Sequence, residues 1–187
     1  MIFLTLGVVL FLLLHSLSAI PRLKAMLKLR YGRKAYGTAF GIAFLLALAV
    51  LVFGWRSSEP VAVYSPAAWG WYASLILNFV GFLSLGIFLF RGNFRQVLRF
   101  PFDVAMIFWA AGHLFANGDL ASVVLFGGLL LGSIVHIFVA ISNGVRPSPE
   151  VRAGHDGLSL IFGAALYGIM TQLHPALIGV PIFVLTR

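Results

Sequence analysis

The chain has 187 residues, 61% of them hydrophobic and 10% charged, with a mean hydropathy of +1.03. So much apolar surface cannot be withdrawn from water in a domain of this length, which excludes a water-soluble globular protein. The formal charge of +8, from 13 Lys and Arg against 5 Asp and Glu, points in a membrane chain to topology and anionic lipid rather than to nucleic acid.

A helical span needs about 20 mostly apolar residues, so the sequence holds about six spans in one all-α membrane bundle, a single domain over residues 1–187. The first apolar run, Met1 to Ile20, is free of charge and ends at Pro21, where a basic stretch begins. No Lys or Arg precedes it and the positive charge follows it, which reads as an anchor rather than a cleaved signal. Leu23, Met26 and Leu27 then alternate with Arg22, Lys24 and Lys28 at helical spacing, as in a helix lying on an anionic lipid surface. Further runs follow at Tyr36 to Trp55, Trp69 to Phe90, Phe102 to Ala116, Leu120 to Ile141 and Leu158 to Leu185. The breaks between them carry turn chemistry: Ser57 to Pro60, the basic stretch Arg91 to Pro101, the tight turn Asn117-Gly118-Asp119, and the Pro/Gly-rich loop from Asn143 to Gly157. Gly37 with Gly41, and Gly128 with Gly132, have the small-x-x-x-small spacing of close helix contacts. Trp55, Trp69, Trp71 and Tyr72 read as an aromatic belt.

Charge sets the expected orientation. The first, third and fifth connections hold 11 of the 13 basic residues, and only Arg56 and Arg187 lie on the other side. The positive-inside rule then puts the odd connections in the cytoplasm and both termini outside.

With no cysteine there is no disulfide, thiolate metal site, iron–sulfur cluster or Cys-x-x-Cys-His haem attachment. Histidine becomes the main ligand candidate, and His15, His113, His136 and His174 all fall within or at the edge of spans, where such groups are costly. His155, beside Asp156, lies in a loop and suits a solvated or capping role. A lone buried imidazole ordinarily bonds a carbonyl or hydroxyl on a neighbouring helix. Four in a chain without thiols favour iron, because two imidazoles from different helices can bracket a haem. Zinc is less favoured: no His-x-x-x-His pattern is present, and only Asp119 and Asp156 lie near histidines in sequence. At 1.5 Å per residue, His15 and His136 lie roughly 9 and 8 Å from the cytoplasmic ends of their spans, and His113 and His174 lie toward the outer side. Depth thus suggests two pairs, His15 with His136 and His113 with His174. Asp103 and Asp119 stand at opposite ends of the fourth span, so paired-carboxylate chemistry has no evident seat. Phosphate-cradling, dinucleotide and Gly-x-Ser-x-Gly patterns are absent.

Three stretches carry a family resemblance. Phe108 to Ser122, with Gly112-His113-Leu114 and Asn117-Gly118-Asp119, continues through Leu125-Phe126-Gly127; the tail runs Leu173-His174-Pro175 to Pro181; the opening has Phe11 to Ser16 with Ala19, Pro21 and Arg22. Together they resemble the NnrU family of bacterial membrane proteins, in the same order over nearly the whole chain. Where that family has Arg-His-Pro, this chain has Arg99-Phe100-Pro101.

The resemblance implies a relation to 15-cis-zeta-carotene isomerase, which shares the domain and is understood to isomerise a carotenoid double bond with reduced haem b. It implies haem b held by His15 and His113, with His136 as the alternative ligand that depth supports. A lipophilic polyene or nitric oxide would then be the ligand, and Arg22 or Arg99 could face the propionates. NnrU is associated with denitrification, which implies as the alternative a non-catalytic membrane factor in assembly or haem supply of respiratory nitrogen-oxide reductases. A methyltransferase reading, from Arg-x-Pro before a span, lacks the glutamate-rich C-terminal motif that it requires.

Overall fold

The computed structural model describes residues 1–147, 149–180 and 182, and these form an all-α bundle. Helix α1 (Ile2–Ser16) runs into a 3-10 turn (Leu17–Ala19), and Pro21 opens α2 (Pro21–Tyr31), the first helical position where its missing N–H does no harm. Gly32, at φ +83°, separates α2 from α3 (Arg33–Arg56). Helix α4 (Gly70–Leu89) is followed by the short α5 (Asn93–Leu98) and by α6 (Pro101–Ala116), again opened by proline. Next come α7 (Leu120–Ser122), a π turn (Val123–Gly127) and α8 (Gly128–Ser142), which together make one continuous apolar helix. The last helix is α9 (His155–Ile178).

Five of these helical stretches are long and apolar enough to cross a membrane; α6, at 16 residues, is the shorter sixth. The expected sixth run was too long at its end. Gly179, in the left-handed region at φ +84°, stops α9 after Ile178, with its N–H bonded to the Pro175 carbonyl, a common glycine helix stop. The stretch Phe183 to Arg187 lies outside the described residues, as does Pro181.

Packing places the helices in the neighbour order α3, α1, α8, α6, α4, α9. Between apolar helices in lipid the hydrophobic drive is small, so close backbone approach and dispersion hold the bundle. The glycines that permit it are not all the expected ones. Gly37 and Gly41 face nothing, whereas a Cβ on Gly54 would lie 2.3 Å from the Leu4 nitrogen, and one on Gly7 2.5 Å from the Leu51 Cα. Those two positions let α1 and α3 touch. Gly128 and Gly132 do meet α1, against Val8 and Leu12 side chains. The core between α1, α6 and the π turn is built from Leu4, Val8, Phe11, Ala110, Leu125, Phe126 and Leu129.

The Asn117-Gly118-Asp119 turn is clasped by the segment that follows α3. Val63 and Tyr64 donate their N–H groups to the Gly118 carbonyl (2.8 and 3.0 Å), and Leu120 N–H donates to the Val61 carbonyl (2.7 Å). The Tyr64 hydroxyl bonds the carbonyls of Leu114 and of Asn117, the latter at 2.7 Å. Asp119 caps α7 by accepting from the Ser122 N–H at 2.9 Å. The most distinctive motif of the sequence therefore serves the fold, because it satisfies the backbone at a helix-to-helix turn. His155 likewise serves structure, since its Nδ1 accepts the Arg91 N–H at 3.1 Å. Asp156 accepts from the Phe94 N–H at 2.9 Å at the start of α5.

Candidate functional site

Two polar sites lie inside the bundle, at opposite ends of α6. The first gathers side chains from three helices. His15 occupies the last turn of α1 and Asp103 the first turn of α6, where the helix N-terminus favours a carboxylate. His136 projects from α8. His15 Nε2 lies 2.9 Å from Asp103 Oδ1 and His136 Nδ1 lies 3.0 Å from the same oxygen. The side chains of His15, Asp103 and His136 are 13%, 4% and 7% exposed. The imidazole centroids are 4.2 Å apart, and Phe102 and Phe11 flank His15 at 5.2 and 6.1 Å.

The two contacts to Asp103 differ in kind. His15 Nε2 makes a hydrogen bond to it. His136 Nδ1 is close enough for an ion pair, yet its direction gives no hydrogen bond, and the atom is buried without a partner. On the far side of the ring, His136 Nε2 lies 2.8 Å from Ser18 Oγ. Ser18 sits in the 3-10 turn that joins α1 to α2.

The second site is a cavity of about 220 Å³ toward the other end of α6, lined by Trp71, Asn78, Trp109, His113, Tyr167 and His174. His113 Nδ1 donates to the Trp109 carbonyl at 2.7 Å, and His174 Nδ1 to the Val180 carbonyl, also at 2.7 Å. A carbonyl only accepts, so both rings carry hydrogen on Nδ1 and keep the Nε2 lone pair free. The π turn supplies Phe126, whose ring stacks on His113 at 4.4 Å and 19°; such turns recur at functional sites. Asn78 gives its Nδ2 to the Ser74 carbonyl at 2.8 Å, while its Oδ1 is buried and unpartnered.

The sequence-derived candidates are thus divided. His15 and His136 come together. His113 does not join them: it stands ten residues beyond Asp103 on α6, a rise of about 15 Å, and shares its cavity with His174. Sequence reasoning missed Asp103 as the partner of both histidines, because depth counted from Pro101 puts it only about 3 Å into its span, one turn short of them. It also missed Ser18 and Asn78, for which no pattern in the sequence gives a signal. Arg99 is bound by its Nε to the Val145 carbonyl at 3.0 Å, and Arg22 is exposed.

Fold and sites together define a polytopic α-helical membrane protein with buried imidazole and carboxylate groups. The chain belongs to the NnrU family: the family model described as NnrU protein matches residues 3–182. Neither a curated protein nor a solved structure matches it.

Proposed function

We propose that this chain is a haem b protein of the bacterial inner membrane, with both termini periplasmic, and that it isomerises a cis double bond of a lipophilic polyene. The observation that carries the reading is the state of His113. A metal-binding histidine usually gives its other ring N–H to a carbonyl or carboxylate, and His113 gives Nδ1–H to Trp109 while keeping Nε2 free beside an aromatic-walled cavity.

The ligand set decides which residues fit the group. Two histidines that hold one iron would bring their ligating nitrogens to within about 4 Å of each other, twice a metal–imidazole bond. His15 and His113, some 15 Å apart in depth, do not meet that condition, and His15 with His136 leaves no room for a macrocycle between rings 4.2 Å apart. His113 and His174 line one cavity, and they are the histidines that would hold the group there. The cavity of about 220 Å³ is smaller than the ~300–1,000 Å³ that encloses a whole small molecule, so it would take only part of the group. Haem would supply a redox-switchable Lewis-acid iron. The chain itself would hold the ring through His113, wall the polyene with Trp71 and Tyr167, and offer Asn78 Oδ1 as a buried, unpaired acceptor.

The test is the visible spectrum of detergent-purified protein before and after dithionite. The reading expects a haem spectrum that His113→Ala abolishes; a colourless protein, still colourless after haem reconstitution, rejects it. Incubation of the reduced form with tri-cis zeta-carotene tests the reaction. Haem without conversion favours instead a non-catalytic factor for nitrogen-oxide reductases, which family membership supports.

A further inference from the structure

Ser18 has one hydroxyl hydrogen, and it goes to the His15 carbonyl at 2.9 Å. Toward His136 Nε2, at 2.8 Å, the hydroxyl can therefore only accept, so His136 carries its hydrogen on Nε2. The lone pair is then on Nδ1, and it faces Asp103 Oδ1 at 3.0 Å. Two acceptor atoms at that distance repel unless positive charge lies between or beside them. The orphaned state of Nδ1 in a ring only 7% exposed is the same fact seen from the hydrogen-bond side.

From this we infer that His15 Nε2, His136 Nδ1 and the Asp103 carboxylate form a binding site for one divalent first-row transition cation, separate from the cavity around His113. The three ligand atoms all lie within 4.8 Å of one another, and donors bound to one metal at about 2.0–2.2 Å stand roughly 3–4 Å apart. Two neutral imidazoles and one carboxylate suit iron(II), zinc or their neighbours in the series and leave coordination positions open. A proton on Nδ1 would be a poorer occupant, because the Nδ1-to-Oδ1 direction is not that of a hydrogen bond. On binding, the hydrogen that His15 gives to Asp103 from Nε2 is exchanged through solvent onto its Nδ1, so both imidazoles stay neutral and the cation takes the lone pairs of His15 Nε2 and His136 Nδ1 with no net loss of a proton. Ser18 is a positioning residue that fixes the His136 tautomer, and Phe11 and Phe102 shield the ligands.

The experiment uses the full chain, purified in detergent without haem, stripped with chelator and titrated with cobalt(II). The expected result is one cobalt per chain with ligand-field bands in the visible. Asp103→Asn and His136→Gln abolish both signals, and Ser18→Ala, a change in an exposed turn, weakens binding about tenfold or more. His113→Ala and His174→Ala leave cobalt binding intact. The inference is overturned if the wild-type chain takes up no stoichiometric cobalt or zinc, a result that depends on no variant's folding. It is equally overturned if Asp103→Asn binds like wild type or if the His113 and His174 variants remove the signal. Because no haem is present, success or failure here is read separately from that of the haem reading.

Discussion

His113 hands its Nδ1 hydrogen to the carbonyl of Trp109, one turn back on the same helix, at 2.7 Å. That bond decides which nitrogen is free to bind, and it sets His113 in its cavity apart from His15, which lies with Asp103 and His136 at the other end of α6. If haem is bound, His113→Ala should abolish the Soret band, whereas His15→Ala should leave its position and intensity unchanged. A spectrum lost in the His15 variant and kept in the His113 variant would reverse the assignment.

The α1–α3 contact gives a packing prediction. Gly54→Ala puts a methyl 2.3 Å from the Leu4 backbone nitrogen, an overpacking that should destabilise the bundle by about 1–3 kcal/mol. Gly37→Ala, with nothing within 4 Å of its new Cβ, should be neutral or raise stability by up to about 1 kcal/mol through helix propensity. Reversible unfolding in mixed micelles compares the two.

Tyr64 should act as an alkaline-sensitive clasp. Partial burial, and then the Asp119 charge, raise its phenol pKa above the usual 10.0. With the folded value above the unfolded one, its contribution is complete below the unfolded pKa and is lost as pH rises through the folded pKa. Tyr64→Phe should lower stability at neutral pH by about 0.5–1.5 kcal/mol, the net worth of an ordinary hydrogen bond. The gap between wild type and variant should close in strongly alkaline buffer, as thermal unfolding across a pH series would register.

The chain has no cysteine, which makes its orientation simple to measure. Lys28→Cys in α2 and Ser58→Cys in the connection after α3 should label from opposite sides of the membrane. An impermeant maleimide added to intact spheroplasts is expected to reach position 58 and not 28. The reverse pattern would contradict the orientation drawn from the basic connections.

Much of the bundle could be read from the sequence because apolar runs of span length leave little choice of structure. Pro21 and Pro101, which in the sequence close the first run and the basic connection, open α2 and α6 in the structure. The end of α9 could not be read: the apolar run continues past Gly179, and only the left-handed backbone there stops the helix. Glycine spacing misled at Gly37 and Gly41, because α3 turns a different stripe, with Ala47 and Gly54, toward the interior. The histidines were visible as costly groups in apolar helices, and depth alone suggested which share a level. Asp103 escaped because it pairs with a residue 88 positions away, and side-chain direction across three helices is not written in any local pattern. The π turn that presents Phe126 to His113 has no sequence signature here either.

The antiparallel packing of α6 and α8 has a mechanical side. Asp103 meets His136, and His113 meets Phe126, so the two contacts are rungs of one ladder, with equal spacing along both rails. Sliding one rail past the other disengages both rungs in the same movement, and packed helices move between discrete registers rather than by degrees. A shift of register between α6 and α8 would therefore disturb both contacts together, whereas a side-chain change at one end that keeps the register leaves the other end as it is.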